Sequence, residues 1–235
     1  MVKAQQLTTK QRNMSNFLNV ILGVSIFFFI ISFSISLVIW SRSFFYGYLS
    51  NINLDNLSFK VGKLNYEQLK QAYDEVMNYL IGYKSIFSSG LLKTSQNAID
   101  HFSDVKRLFI INFIFLAITS IIILTITIIK FKFKNLKIQF LLSGFIASIT
   151  LLVFIFVTII VSSINFEKSF AVFHKIFFPG KSNWIFNPRE DEIIQILTLD
   201  YFKGCAIFIG VSIIAFTSGF IFSFLSFKVF RKFKK

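Results

Sequence analysis

The sequence predicts an all-α membrane protein: four transmembrane helices with two folded extracytoplasmic loops. Three observations predict it. Four long stretches lack any ionisable side chain, the basic excess is confined to the ends and one short turn, and the two long connections carry capping and turn signals of their own. Of 235 residues, 54% are hydrophobic and only 15% charged, where a soluble domain has roughly 25% charged residues.

The charge-free stretches run from about 17 to 40, 108 to 129, 138 to 163 and 206 to 227. Each is long enough to cross a hydrocarbon core, which takes about 20 helical residues. Their apolar residues are continuous, whereas barrel strands alternate, so in lipid the backbone groups are left to pair within helices. The first stretch follows Lys3, Lys10 and Arg12 as a secretory signal would. Its apolar run exceeds a signal's core, however, and "SLVIWSRS" offers no small-x-small cleavage site, so it is expected to stay as an anchor. Residues 1–235 are expected to form a single integral membrane domain.

A formal net charge of +14 would point to nucleic acid if it were spread over a soluble surface. Here the N-terminal tail has three basic residues, the 130–137 turn four and the C-terminal tail five, with no acidic residue among them. The loops at about 41 to 107 and 164 to 205 hold the other 13 basic residues and all 11 acidic ones. The positive-inside rule then puts both termini and the short turn in the cytoplasm and both loops outside. Membrane lipids are expected partners, since the basic ends attract anionic head groups, and nucleic acid is not. The single cysteine, Cys205, cannot form an internal disulfide and reads as a small packing residue.

The spans contain Ser, Thr and Gly but no ionisable group, so they show no midplane proton or ion path. Chemistry is expected at the outer surface. In the first loop, "NYEQLKQAYDEVMNYL" spaces Leu69, Ala72, Tyr73, Val76 and Leu80 for one helix face, with Asn65 and Gln68 placed as a capping pair. The loop ends in "IDHFSDVKRLF". There His101 and Asp104 share a helical face, so the carboxylate is expected to hold one imidazole nitrogen, and Lys106 and Arg107 read as interfacial anchors.

In the second loop, Phe170, Phe173 and Phe177 surround His174 at helical spacing, an aromatic and partly desolvated setting that favours the neutral imidazole a general base needs. Pro179-Gly180 ends that segment, and Trp184 reads as an interfacial anchor. Asn187, Pro188 and Glu190 suit a cap, a first turn and a third position, which predicts a short helix over 188–198. Both histidines of the chain thus lie outside, beside spans, at one membrane interface.

"HFSDVK" at 101–106 and "FHKIFFPGKSNWIFNPREDEII" at 173–194 resemble the signatures of the bacterial lipoprotein intramolecular transacylase family, four-span proteins of Gram-positive bacteria. The resemblance implies a bacterial cell-membrane enzyme acting at the outer leaflet on diacylglyceryl-modified lipoproteins. In that reaction the sn-2 acyl chain moves to the cysteine's own α-amino group and leaves the N-acyl lyso-form, and no cofactor is implied. It also implies that His101 and His174 are catalytic. We expect His174 to be the base and His101, held by Asp104, the electrophile, although the residues admit the reverse. Tyr83, Trp184 and Asp191 are expected to line the site. Amine attack on an ester needs a neutral amine, while an α-ammonium of pKa about 7.7–8.0 is mostly protonated at pH 7, so a base is required. The alternatives are a noncatalytic tetraspan scaffold or accessory subunit, which would tolerate loss of both histidines, and a metal-dependent hydrolase. For the latter no HExxH or similar short spacing is present, so a metal is not expected.

Overall fold

A computed structural model of the chain describes residues 8–233. Among the described residues there are seven α-helices and no strand: α1 (Thr9–Trp40), α2 (Arg42–Leu49), α3 (Tyr66–Leu80), α4 (Gln96–Lys132), α5 (Phe140–Ile164), α6 (Phe166–Phe177) and α7 (Leu199–Phe233). A lone antiparallel bridge joins Phe59 to Gly62. Helices α1, α4, α5 and α7 are long and apolar enough to cross a membrane, which bears out the all-α four-span class. Lys3, Lys234 and Lys235, part of the basic tails, lie outside the described residues. The long helices extend past the charge-free stretches. In particular, α4 begins at Gln96 and carries His101 before its apolar stretch starts at about 108.

The chain divides into two compact units. The first takes the described parts of Met1–Ser34, Ile114–Thr158 and Gly210–Lys235. Its helices meet through small residues and polar side chains that satisfy backbone groups. Asn19 of α1 donates Nδ2 to the Lys137 carbonyl at 3.1 Å and accepts the Gln139 N–H at 2.8 Å, so one amide serves the unpaired backbone entering α5. Ser15 accepts the Lys137 N–H at 3.0 Å. At Gly144 of α5 an added Cβ would fall 2.3 Å from the Phe220 ring of α7, so a larger residue there would force that ring to move.

The second unit spans Ile35–Phe113 and Ile159–Ile209 and has a hydrophobic core of the soluble kind. Helix α3 starts with the expected capping box, Asn65 accepting from the Gln68 N–H at 3.0 Å and Gln68 from the Asn65 N–H at 2.9 Å. Its apolar face, Leu69, Ala72, Tyr73, Val76 and Leu80, is buried as its spacing predicts. The Tyr73 ring stacks on Phe45 of α2 with centroids 3.7 Å apart. Arg42 and Tyr46 of α2 both bond Asp74 of α3, at 2.9 and 2.6 Å, which fixes how the two helices cross. Gly90, with φ +62°, passes so close to Ala72 that an added Cβ would sit 3.3 Å from its Cα, so side chain and backbone geometry both require glycine there.

The helix expected over 188–198 is not formed. Residues 187–191 make a turn, and only Glu192–Gln195 coil, as a 3-10 turn. The reason lies in two carboxylates that serve distant backbone instead of a local helix. Asp191 accepts the Ser95 N–H at 2.8 Å and the Asn187 N–H at 3.1 Å. Glu192, 3% exposed, accepts the N–H groups of Lys60 and Lys93, each at 2.7 Å, while its own N–H donates to the Lys93 carbonyl at 3.0 Å. Glu192→Ala strands two donors, each costing about 1–3 kcal/mol when unmet. The thermal midpoint of the detergent-solubilised variant is expected to fall by several degrees, and Glu192→Gln, which keeps one acceptor, is expected to recover part of the loss.

Candidate active site

His101 owes its position to the start of α4. Ser95 caps that helix by accepting the Ala98 N–H at 3.2 Å, and Asp191 holds the Ser95 N–H. Phe102 is buried and anchors the adjacent face, its ring 5.0 Å from Phe87 and 5.8 Å from Phe186. His174 comes from α6, which Asn165 caps by accepting the Lys168 N–H at 2.9 Å. Helix α6 is amphipathic in an unusual sense. Its one buried residue is His174, whereas Val172, Phe173, Ile176 and Phe177 are exposed. An apolar outer face beside membrane spans suits lipid, and the histidine is turned towards protein.

The turn at Pro179-Gly180, where Gly180 takes φ +73°, sends the chain back across α6. That return stacks Trp184 on His174, with centroids 4.7 Å apart, and brings Phe186 to 5.5 Å from His101. The two imidazoles face each other at 5.6 Å, and Phe178 packs against both, at 4.9 and 5.7 Å. Phe170 lies 4.3 Å from His174. Both histidines are only 6% exposed.

This aromatic enclosure sets the electrostatics. His101 lies outside the apolar stretch of α4, and its pKa is lowered to about 4, mainly by desolvation and secondarily by the neighbouring His174 and by Lys181; Asp104 offsets part of this. His174 is also lowered by desolvation, with the Phe170 carbonyl opposing. Both are therefore neutral at pH 7. The His174 Nδ1 lies 2.7 Å from the Phe170 carbonyl oxygen. That oxygen can only accept, so Nδ1 carries the proton and Nε2 keeps a lone pair.

Asp104 does not hold His101 as expected. Its carboxylate is taken by Lys181, at 2.6 Å to each oxygen, and by the Asn183 amide at 3.2 Å, and the His101 Nδ1 is left without a hydrogen-bond partner among the described residues. Burial alone would raise the Asp104 carboxyl, but Lys181 and Asn183 outweigh it and hold it below the ordinary range. Asp191 is likewise engaged with backbone rather than aimed at either imidazole. Tyr83 is 82% exposed and, among the described residues, makes no ring contact or hydrogen bond with the cluster. Trp184 is the one supporting residue of the sequence reading that touches a histidine ring. Sequence reasoning missed Phe178, Lys181, Asn183 and Phe186, for which the Pro179-Gly180 turn was the available signal. No three His, Cys, Asp or Glu side chains come together as metal ligands among the described residues.

Fold and site define a multi-pass membrane protein that encloses two neutral imidazoles in aromatic walls. Residues 20–202 match the family described as lipoprotein intramolecular transacylase Lit, and the chain belongs to that family. Curated proteins provide no match. Among solved structures it is similar to the membrane-integral lipoprotein intramolecular transacylase Lit from Bacillus cereus, at 28% identity and TM-score 0.80, covering 95% of this chain and 99% of that one. It is also similar to a variant of the Bacillus cereus protein with one histidine replaced by alanine, at 25% identity and TM-score 0.75, over 95% and 97% of the two chains. An arginine variant at 24% identity and TM-score 0.75, covering 95% and 96%, shares the fold. The chain is thus an acyltransferase of the intramolecular kind, and a noncatalytic scaffold is not favoured.

Because the His174 pKa is depressed, its neutral form persists below an ordinary histidine's pKa of about 6.5. Titrated by NMR of ring-labelled protein in micelles from pH 4 to 8, the His174 imidazole is expected to have its midpoint below 6.5. A midpoint at or above that value would mean that the imidazoles are solvated.

Proposed function

We propose that His174 is the general base and His101 the hydrogen-bond donor in moving the sn-2 acyl chain of a diacylglyceryl-cysteine lipoprotein to the cysteine α-amino group. The observation that carries the assignment is the His174 Nδ1 bond to the Phe170 carbonyl, which leaves Nε2 as the free basic atom. The substrate α-ammonium loses one proton to water, and Nε2 takes a second from the amine nitrogen as it attacks the ester carbonyl carbon. His101, neutral down to about pH 4, donates N–H to the oxyanion that develops. The glyceryl C–O bond then breaks, the departing oxygen takes the proton from His174, and the amide and the lyso-glyceryl product are left. Amine and ester belong to one molecule, so the site mainly has to fold them together, a proximity effect worth several kcal/mol. Trp184, Phe170 and Phe178 hold the imidazoles and offer apolar walls to the acyl chains.

The same reading makes residues 1–235 one integral membrane domain, with both termini and the 130–137 turn in the cytoplasm and the histidines at the outer leaflet of the cell membrane. The placement of the basic residues supports it. Diacylglyceryl lipoproteins are the substrate, membrane lipids the surroundings, and neither nucleic acid nor a cofactor takes part. Tyr83, exposed and without a ring contact to the cluster among the described residues, is given no role in the transfer.

Mass spectrometry of the N-terminal lipopeptide of a reporter lipoprotein tests the reaction, in a bacterium lacking the activity and carrying this protein. One acyl chain is expected to move from glyceryl to amine, and His101→Ala and His174→Ala are each expected to slow this by about 10²–10⁴-fold. An unchanged lipopeptide in the presence of inserted wild-type protein would refute the assignment. Topology is read by labelling in a Cys205→Ser background. Arg189→Cys is expected to react with an impermeant maleimide in intact cells, and Lys134→Cys only after permeabilisation.

A further inference from the structure

The aromatic walls around the histidines are matched by a polar cavity of about 450 Å³ within the same unit, lined by Asn97, Asp100, Ser103 and Asp104 of α4 and by Lys181 and Asn183 of the chain returning from α6. Asn97, Asp100 and Asp104 recur along one face of α4, and His101 stands one turn from Asn97 on the edge of that face. The mechanism uses none of these six side chains. A volume of this size is in the range that holds a small ligand.

The substrate is itself divided. Its glyceryl and acyl part is apolar, and the polypeptide that continues from the cysteine is polar and must leave the site on another side. We propose that this cavity is the subsite for the polypeptide segment following the acylated cysteine, bound in extended form through its backbone. The inference rests on the transacylase reading above. The chemistry of the lining suits a backbone ligand. Asp100 and the Asn183 amide oxygen accept N–H groups, and the Asn97 amide and the Lys181 ammonium donate to carbonyls.

Two observations favour this occupant. The Asn183 Oδ1 is buried with no hydrogen-bond partner among the described residues, while its Nδ2 is fixed on Asp104 at 3.2 Å. Asn183 is part of the cavity lining, so a small turn of its amide towards an incoming N–H removes that deficit. The Lys181–Asp104 pair lines the same cavity and leaves Asp100 unneutralised, its carboxylate accepting, among the described residues, only from Gln96 at 2.8 Å. Groups that bond a main chain read no particular side chain, so the same cavity serves lipoproteins that share a lipidated cysteine and differ beyond it.

The test compares kcat/KM of the full-length protein in mixed micelles on three synthetic probes. These are diacylglyceryl-cysteine amide, the same compound extended by a Ser-Asn-Ala tail, and the extended compound with every tail amide N-methylated. The tail is expected to raise kcat/KM by about tenfold, N-methylation to abolish the gain, and Asn183→Leu or Asn97→Ala to reduce it below threefold. Equal values with and without the tail, or a gain that survives N-methylation, would overturn the subsite while leaving the transacylase reading in place, because the tail-free probe still reacts. No product from any of the three would remove that reading and the subsite together.

Discussion

Two buried carboxylates hold together the surroundings of the two histidines. His101 and His174 are far apart in sequence, so the start of α4 has to be joined to the segment that follows α6. Asp191 and Glu192 supply this by accepting the backbone N–H groups of Lys60, Lys93, Ser95 and Asn187. These bonds tie the segment that returns from α6 to the segment that opens α4. Charge-assisted hydrogen bonds to backbone are among the stronger ones available, and burial strengthens them further. Without that tie the aromatic cluster would have no fixed partner for either ring.

Desolvation then acts on the chemistry. An imidazole in water is partly protonated near neutrality, and a protonated base is useless to an ammonium substrate. Phenylalanine walls keep both rings neutral without any acidic partner, in contrast to triads in which a carboxylate holds the histidine. Here a main-chain carbonyl, Phe170, orients His174, the proposed base. A carboxylate at that point would raise the pKa and work against the enclosure.

Much of this was legible in the sequence, and the losses have a common cause. Spans, the α3 capping box, the aromatic setting of His174 and the turn at Pro179-Gly180 are local signals, carried by periodicity or by residues a few positions apart. The predicted helix over 188–198 failed because Asp191 and Glu192 bond backbone from the other loop, which no local pattern records. Three-residue spacing assigns Asp104 to His101, yet Lys181, remote in sequence, takes its carboxylate. Tyr83 carried no patterned signal, and its ring stands in the open.

The single buried position of α6 has a mechanical consequence. A helix docked by an aliphatic stripe leaves its seat only at the cost of that whole stripe, whereas α6 is seated by the rings gathered around one histidine. With one fully buried side chain to hold it, α6 is expected to open at a lower free energy than the helices of the core. On the proposed mechanism, an acyl chain reaching the imidazoles would meet the same aromatic surfaces that seat the helix, so substrate and helix would share one set of contacts.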